Sequence, residues 1–146
     1  MKTYSQKPAD VQRKWYVLDA SEATLGRLST RAASLLLGKA KTSVTPHTDA
    51  GDFVIVINAA NVKVTGGKEL KKEYFRHSGY PGGIYKRTLA EQQAKSLEAV
   101  IYKAVRGMLP DNKLRPGRLA RLKIYAGEDH NHTAQKPEKL NLKGVK

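Results

Sequence analysis

Two short, almost continuously apolar segments constrain the fold of this chain more than any other feature of its sequence. The first is WYVLDA at residues 15–20, and the second is DFVIVINA at residues 52–59. Runs of this length that are rich in β-branched and aromatic residues predict strands covered on both faces. We therefore expect both segments to lie inside a sheet.

The segment between these two strands has the spacing of an amphipathic helix. In SEATLGRLSTRAASLLLGK, residues 21–39, Ser21 or Thr24 can cap the start and Gly38 suits the end. The apolar positions that define the helical face are Leu25, Leu28, Ala32, Leu35 and Leu36. A strand, a helix and a second strand at this distance predict a parallel pair joined by a right-handed crossover, and therefore an α/β domain.

The remainder of the chain predicts two further helices and one short strand. Residues 62–87 mix glycine, aromatic and basic residues without helical period, which indicates strands or loops that project from the core. Thr88–Glu91 has capping-box spacing and starts a helix through about Ala94. A second helix begins near Ser96 and stops at Gly107 and Pro110, and its expected buried stripe is Leu97, Val100, Ile101, Ala104, Val105 and Met108. We expect residues 111–118 to form a loop and residues 123–127 a last strand.

These elements predict a single domain between two basic extensions. The first fourteen residues are polar and predict a basic N-terminal arm at 1–14. The domain itself occupies 15–137, and residues 138–146 form a basic C-terminal tail. From its composition, we expect the tail to remain disordered until it binds a partner.

The net charge indicates an anionic partner. The chain carries 27 Lys and Arg against 13 Asp and Glu, which leaves a formal charge of +14. The excess positive charges repel one another in the folded protein, and a polyanion would relieve this repulsion. Nucleic acid is therefore the leading partner. Solubility alone needs a net charge of only about 2 to 8 on a small domain. An anionic membrane surface is the other candidate, but no apolar run approaches the ~20 residues of a spanning helix, so we expect no membrane partner.

The absence of cysteine excludes disulfides, thiol nucleophiles and zinc ribbons. A metal site would need His130 and His132, which lie two residues apart, together with His47, Asp49 or Asp52 from a distant loop. That set defines one alternative function, a metal-dependent phosphoesterase that uses His47, Asp49, His130 and His132. The chain has neither a dinucleotide fingerprint nor a P-loop, so we expect no cofactor and no small-molecule substrate. It also lacks a secretory signal, which predicts a cytoplasmic protein.

Two basic segments supply better candidates for function than the histidines do. Residues 62–87 interleave cations with aromatic rings, and residues 103–123 hold arginines in a loop punctuated by Pro and Gly. Cations bind phosphates, and exposed aromatic rings stack on unpaired bases. The predicted RNA-binding residues are Arg27, Lys39, Lys41, His47, Lys68, Lys71, Lys72, Arg76, Arg106, Arg115, Arg118, Arg121, Lys123, His130 and His132. A general DNA-binding or nucleoid protein is a further alternative for the same charge.

Four blocks of this sequence resemble one family. WYVLDASEATLGRLST, VTPHTDAGDFVIVINAANVKVTG, RGMLP and LKIYAGEDHNHTAQKP occur in the order and spacing of the bacterial large-subunit ribosomal protein thirteen family. The resemblance extends from about Lys14 to Pro137. The segment DNKLRPGR, which directly follows RGMLP, departs from the family pattern.

The resemblance implies both a fold and a function. It implies a three-layer α/β/α domain with a mainly parallel sheet of about four strands. It also implies a structural, non-enzymatic role: binding large-subunit (23S-type) ribosomal RNA early in subunit assembly, and remaining on the ribosome beside neighbouring large-subunit ribosomal proteins. The family pattern places no metal and no catalytic group on His130 and His132.

Overall fold

The computed structural model describes residues 3–142 and contains six strands and five α-helices within them. Two short 3-10 helices, Pro8–Asp10 and Ala59–Asn61, lie outside this numbering. In chain order the elements are β1 (Trp15–Asp19), α1 (Leu25–Leu37), β2 (Phe53–Ile57), α2 (Lys68–Lys71), β3 (Glu73–His77), β4 (Ile84–Thr88), α3 (Leu89–Lys95), α4 (Leu97–Met108), α5 (Arg115–Ala120), β5 (Leu122–Ile124) and β6 (Glu138–Leu140).

Four of the strands form one parallel sheet in the order β5-β2-β1-β6. The two apolar runs pair directly, with Trp15 opposite Phe53 and Asp19 opposite Ile57. β5 pairs in parallel with β2, and β6 pairs in parallel with β1. The α/β class and the mainly parallel four-stranded sheet are therefore confirmed.

The strand order explains how each face of the sheet is covered. The connections β1 to β2 and β2 to β5 step in the same direction, so right-handed crossovers place their helices on the same face. There, Leu18 and Val54 are fully buried in one core with Leu28 of α1. The connection from β5 to β6 returns across the sheet and, by the same rule, crosses the opposite face. That face carries a second buried cluster of Val17, Ile55 and Ile57.

Local sequence signals set the ends of the helices. Gly38 adopts a left-handed conformation with φ +77° and ends α1, where the N–H of Lys39 donates to the carbonyl of Ser34. Thr88 and Glu91 form the predicted capping box at the start of α3. Ser96 caps α4 by accepting the N–H of Ala99. Thr24 precedes α1 without a side-chain cap.

β3 and β4 form a separate antiparallel hairpin, as the sequence of residues 62–87 indicated. Its side chains are largely exposed, and Tyr74 is the residue of β3 that packs against the core. The hairpin runs directly into α3 through Thr88. It is therefore held beside α3 and α4 at the edge of the domain.

Four predictions of local structure need correction. Residues 68–71, expected in strands or loops, form the one-turn helix α2. The second half of the loop expected at 111–118 is helical and belongs to α5, Arg115–Ala120. Pro116 suits the first turn of this helix. The strand predicted at 123–127 is β5, Leu122–Ile124, an edge strand that is shorter and begins one residue earlier than predicted. Met108 is 42% exposed and does not belong to the buried stripe of α4.

The two extensions are attached to the domain where the structure describes them. In the arm, Gln6 is buried and its carbonyl accepts the hydroxyl of Thr48, while the N–H of Lys14 donates to Asp52 at 2.8 Å. In the tail, Glu138–Leu140 forms β6, so these residues belong to the sheet and are not disordered. Residues 1, 2 and 143–146 of the predicted arm and tail lie outside the described residues. The division at 14 and 137 stays a prediction.

No helix in the described part of the chain combines the length and the hydropathy needed to cross a membrane.

Candidate nucleic-acid interface

A groove of about 660 Å³ separates the β3–β4 hairpin from α3 and α4. Strand register puts directly opposed residues on the same face of the hairpin, so Arg76 and Tyr85 share a face with Tyr74 and Arg87. All four side chains line this hairpin groove, and the helices contribute Gln92, Lys95, Ser96, Ala99 and Lys103 to its other wall. The hairpin groove therefore has cationic side chains on both walls.

Tyr74 forms the inner part of the hairpin groove. Its ring packs against the core, and the ammonium groups of Lys103 and Lys72 lie 4.7 and 5.4 Å from the ring centroid. At these distances a cation is attracted to the face of an aromatic ring. Burial raises the pKa of the Tyr74 hydroxyl above its ordinary value of 10.0, so the ring stays neutral beside these cations.

Lys103 joins the hairpin groove to two neighbouring depressions. One of them lies between α1, α2 and α4 and includes Lys63, Lys68 and Lys72. The other includes Arg106 and Arg115. We call the three together the basic surface. Its cations are Lys63, Lys68, Lys72, Arg76, Arg87, Lys95, Lys103, Arg106 and Arg115.

No acidic side chain of residues 3–142 lines any part of the basic surface. Cations that are close together without intervening acids raise the local positive potential, and an array of phosphates lowers it. The arrangement thus fits a polyanion that can contact several cations at once.

Five of the predicted RNA-binding residues lie on the basic surface. These are Lys68, Lys72, Arg76, Arg106 and Arg115. Arg115 is the most constrained of them, because its guanidinium donates to the carbonyls of Pro110 and Leu109 and pairs with Asp111 at 3.1 Å. The predicted residues Arg27, Lys39, His47 and Lys71 are exposed elsewhere, and Lys123 is partly exposed on β5.

Arg118 and Arg121 are not on the surface. They are 4% and 7% exposed, and both terminal nitrogens of Arg121 donate to the carboxylate of Asp49 at 2.6 Å. Nε of Arg118 lies 3.6 Å from the same carboxylate, which is an ionic contact but too long for a hydrogen bond. In this position, neither guanidinium is available to an RNA phosphate.

Asp49 is the centre of this buried ion-pair cluster. Burial opposes ionisation, but the hydrogen bonds and charge of Arg121 outweigh it, so the pKa of Asp49 lies below its ordinary value of 3.8. Gly51 allows the 45–52 loop to approach α1, because a Cβ at this position would overlap the carbonyl oxygen of Leu36. Arg121 also donates to that carbonyl, so the cluster fastens the loop, α1 and α5 together.

Lys41 is likewise occupied within the protein. Its ammonium lies 2.6 Å from the carboxylate of Asp52 and donates to the carbonyls of Gln12 and Ala50. Three close oxygen partners use the three donors of a lysine. Lys41 therefore holds the N-terminal arm against the 45–52 loop.

The histidines at 130 and 132 cover the second face of the sheet. The ring of His132 lies 5.0 Å from Trp15 and 6.0 Å from Tyr125, and Trp15 stacks on Phe53 at 4.1 Å. His130 Nδ1 accepts the N–H of His132 at 3.3 Å. The segment at 125–137, which contains both histidines, is thus the crossover between β5 and β6. Its aromatic rings pack over the cluster of Val17, Ile55 and Ile57.

The proposed metal ligands have other partners. Both oxygens of Asp49 accept from Arg121, and His47 lies 3.3 Å from the hydroxyl of Ser5. Within residues 3–142, no three His, Cys, Asp or Glu side chains are grouped so that they could hold a metal ion.

Four cations of the basic surface were missed by the sequence-based list of RNA-binding residues: Lys63, Arg87, Lys95 and Lys103. A signal for Lys103 was present in α4. Ser96, Ala99, Lys103 and Arg106 recur at intervals of three and four residues, beside the apolar stripe. This second stripe of α4 is the helical wall of the basic surface.

Comparison with known proteins gives one consistent result. The family model described as "Ribosomal protein L13" matches residues 13–131. A protein of Halorhodospira halophila named "Large ribosomal subunit protein uL13" is 53% identical over 142 residues, which cover 97% of this chain and all of that protein. Proteins of the same name from Alcanivorax borkumensis and Syntrophomonas wolfei are each 54% identical and are also matched over their full length.

Proposed function

The chain belongs to the ribosomal protein L13 family, and from this membership we propose that it is a structural component of the large ribosomal subunit that binds large-subunit ribosomal RNA through the basic surface. Its place is the ribosome in the cytoplasm. The relatives are named as ribosomal proteins and not as enzymes, so the phosphoesterase alternative is set aside.

The observation that carries the RNA-binding proposal is the basic surface around Lys103. It groups nine cations from six elements and their connections, and none of the described side chains that line it is acidic. RNA helices are recognised mainly through shape, phosphates and 2′-hydroxyls, which such a surface can contact without reading bases. Binding neutralises closely packed phosphates and releases their counterions.

The proposed interface differs from the set of RNA-binding residues predicted from sequence. Lys68, Lys72, Arg76, Arg106 and Arg115 are retained, and Lys63, Arg87, Lys95 and Lys103 are added. Arg27, Lys39, Lys71, His47 and Lys123 remain proposed outer contacts. Arg118, Arg121 and Lys41 are assigned to the stability of the fold, and His130 and His132 to the cover of the sheet.

Contacts with neighbouring ribosomal proteins and a role early in subunit assembly also belong to the proposal. This part of the proposal rests on family membership, since the relatives are named as large-subunit ribosomal proteins.

A charge-matched pair of variants tests the RNA-binding proposal. Lys103→Gln with Arg106→Gln removes two charges from the basic surface, whereas Lys7→Gln with Lys136→Gln removes two exposed charges elsewhere. We expect the first pair to weaken binding to large-subunit ribosomal RNA at least tenfold and the second pair to change it less than threefold. Equal effects of the two pairs would count against a localised RNA interface.

A competition assay separates this function from that of a general DNA-binding protein. Because an A-form RNA surface differs in shape from B-form DNA, excess duplex DNA should displace the ribosomal RNA poorly. Displacement by equal masses of DNA and RNA would support the nucleoid alternative.

A further inference from the structure

We propose that the hairpin groove binds an unpaired nucleotide of the RNA, with its base stacked on Tyr85 and its flanking phosphates beside Arg76, Arg87 and Lys103. This inference rests on the proposed function, because it specifies which element of RNA structure one part of the basic surface binds. The remaining depressions of the basic surface contact phosphates of paired RNA.

Three aromatic residues line the hairpin groove, and Tyr85 is the exposed one on the face that carries Arg76 and Arg87. Phe75 is equally exposed but pairs with Lys86 on the opposite face of the hairpin, where the Lys86 ammonium lies 5.6 Å from its ring centroid. Tyr85 is 63% exposed, although it lines the groove.

Tyr74, in contrast, is half-buried and has the ammonium groups of Lys72 and Lys103 close to its ring. Arg76 stands directly opposite Tyr85 in the strand register, and both side chains line the groove from the same face of the hairpin. A planar base with a negative phosphate matches this combination of ring and cation.

The charge and size of the hairpin groove favour a nucleotide. Four cations line it, and no acidic side chain of the described residues does. Its volume of about 660 Å³ falls in the range of roughly 300–1,000 Å³ that is typical of sites for small organic groups. A neutral peptide would leave the four charges unpaired, whereas a nucleotide brings its own phosphates.

The groove requires an unpaired base because stacking needs a free face of the base. In a duplex both faces are covered by neighbouring base pairs, and sequence-tolerant stacking on aromatic side chains is a property of single strands, loops and bulges. Gln92 and Ser96 line the groove between α3 and α4 and offer amide and hydroxyl groups to the edge of an extruded base.

The test compares three variants of the full chain on two fluorescein-labelled RNAs. One probe is a single-stranded oligoribonucleotide, and the other is a fully paired duplex with the same number of phosphates. The variants are Tyr85→Ala, Tyr85→Phe, which keeps the ring, and Tyr80→Ala, which removes an exposed tyrosine of the hairpin that does not line the groove. Binding is measured by fluorescence anisotropy.

We expect Tyr85→Ala to weaken binding of the single strand about tenfold, since base stacking on an aromatic side chain has an effect of this order. Tyr85→Phe and Tyr80→Ala should bind it as the wild type does, and all three should bind the duplex within twofold of wild type. Upfield shifts of the base protons on binding, lost in Tyr85→Ala, would establish the stack directly.

Two results would overturn the nucleotide site and leave RNA binding intact. One is an unchanged affinity of Tyr85→Ala for the single strand, and the other is an equal loss on single strand and duplex. The first result would also follow if the groove serves a protein partner. If the wild type binds neither RNA in a salt-dependent way, the proposed function itself fails.

Discussion

At the scale of single residues, two acidic side chains determine which cations of this basic protein are free to bind a partner. Asp49 forms ion pairs with Arg121 and Arg118, and Asp52 forms one with Lys41. The three cations were indistinguishable in sequence from those of the basic surface. Their partners are 11 to 72 positions away in the chain, so burial and pairing, rather than residue type, assign them to the fold.

Replacing Asp49 by Asn should destabilise the protein strongly. The change leaves two guanidinium groups buried beside a neutral side chain, and breaking a buried ion pair by removing one partner costs about 3–5 kcal/mol. Urea unfolding should therefore show a loss on the order of 3 kcal/mol in the free energy of unfolding.

The control is the same substitution at Asp111, whose carboxylate also pairs with an arginine but is 90% exposed. Exposed ion pairs contribute little to stability, so Asp111→Asn should unfold almost as the wild type does. Similar losses in the two variants would show that the Asp49 cluster is not a structural clamp.

The same cluster predicts a dependence of stability on pH. Because the folded pKa of Asp49 lies below its ordinary value of 3.8, the ion pair contributes fully above that value. The contribution is lost as pH falls through the lower, folded pKa. The difference in unfolding free energy between wild type and Asp49→Asn should therefore shrink below about pH 4. A difference that stays constant down to pH 2 would contradict this assignment.

At the scale of elements, the sequence predicted β1, β2 and the edge strand β5, and it missed β6 at the other edge of the sheet. β1 and β2 lie in the middle of the sheet, so almost every residue is apolar and the pattern is unmistakable. β6 reads EKL, and two of its three side chains are exposed. Nothing in so short and polar a segment distinguishes an edge strand from a tail, because its pairing depends on the exposed edge of β1.

The hairpin shows a related limit. Both strands are mostly exposed, and therefore they lack the alternation that identifies a half-buried strand. Their glycines and aromatic residues indicated projecting structure, and this was confirmed. The groove beside α4 could not be predicted, since it depends on the angle at which the hairpin meets the helices.

Leu142, at the C-terminal end of the described chain, should contribute to the stability of the fold. It is 7% exposed in the main core, and its N–H donates to the carboxylate of Glu22 at 3.0 Å. Truncating a buried leucine leaves a cavity, so Leu142→Ala should lower the unfolding free energy by about 2 kcal/mol in thermal or urea unfolding.

The exposed neighbour supplies the control for this change. Asn141→Ala alters the adjacent residue without removing core volume, and it should leave stability within about 0.5 kcal/mol of wild type. If Leu142→Ala is equally neutral, the segment after β6 does not contribute to the fold.

At the scale of the whole molecule, net charge predicted the class of partner but not the place where it binds. The formal charge of +14 indicated a polyanion. Its distribution became apparent only when folding placed α2, the hairpin and α4 side by side, while internal ion pairs engaged Lys41, Arg118 and Arg121. The family resemblance identified the ribosome from sequence alone, and the structure adds the surface that we propose binds its RNA.

The salt dependence of binding to large-subunit ribosomal RNA tests this account most directly. Each phosphate neutralised contributes roughly 0.7 to 0.9 to the slope of log affinity against log salt, so about six contacts predict a slope near −5. Lys103→Gln with Arg106→Gln should reduce its magnitude by about 1.5, whereas Lys7→Gln with Lys136→Gln should leave it close to the wild-type value. A flat salt response of the wild type, or the same slope for both pairs of variants, would contradict the assignment of RNA binding to the basic surface.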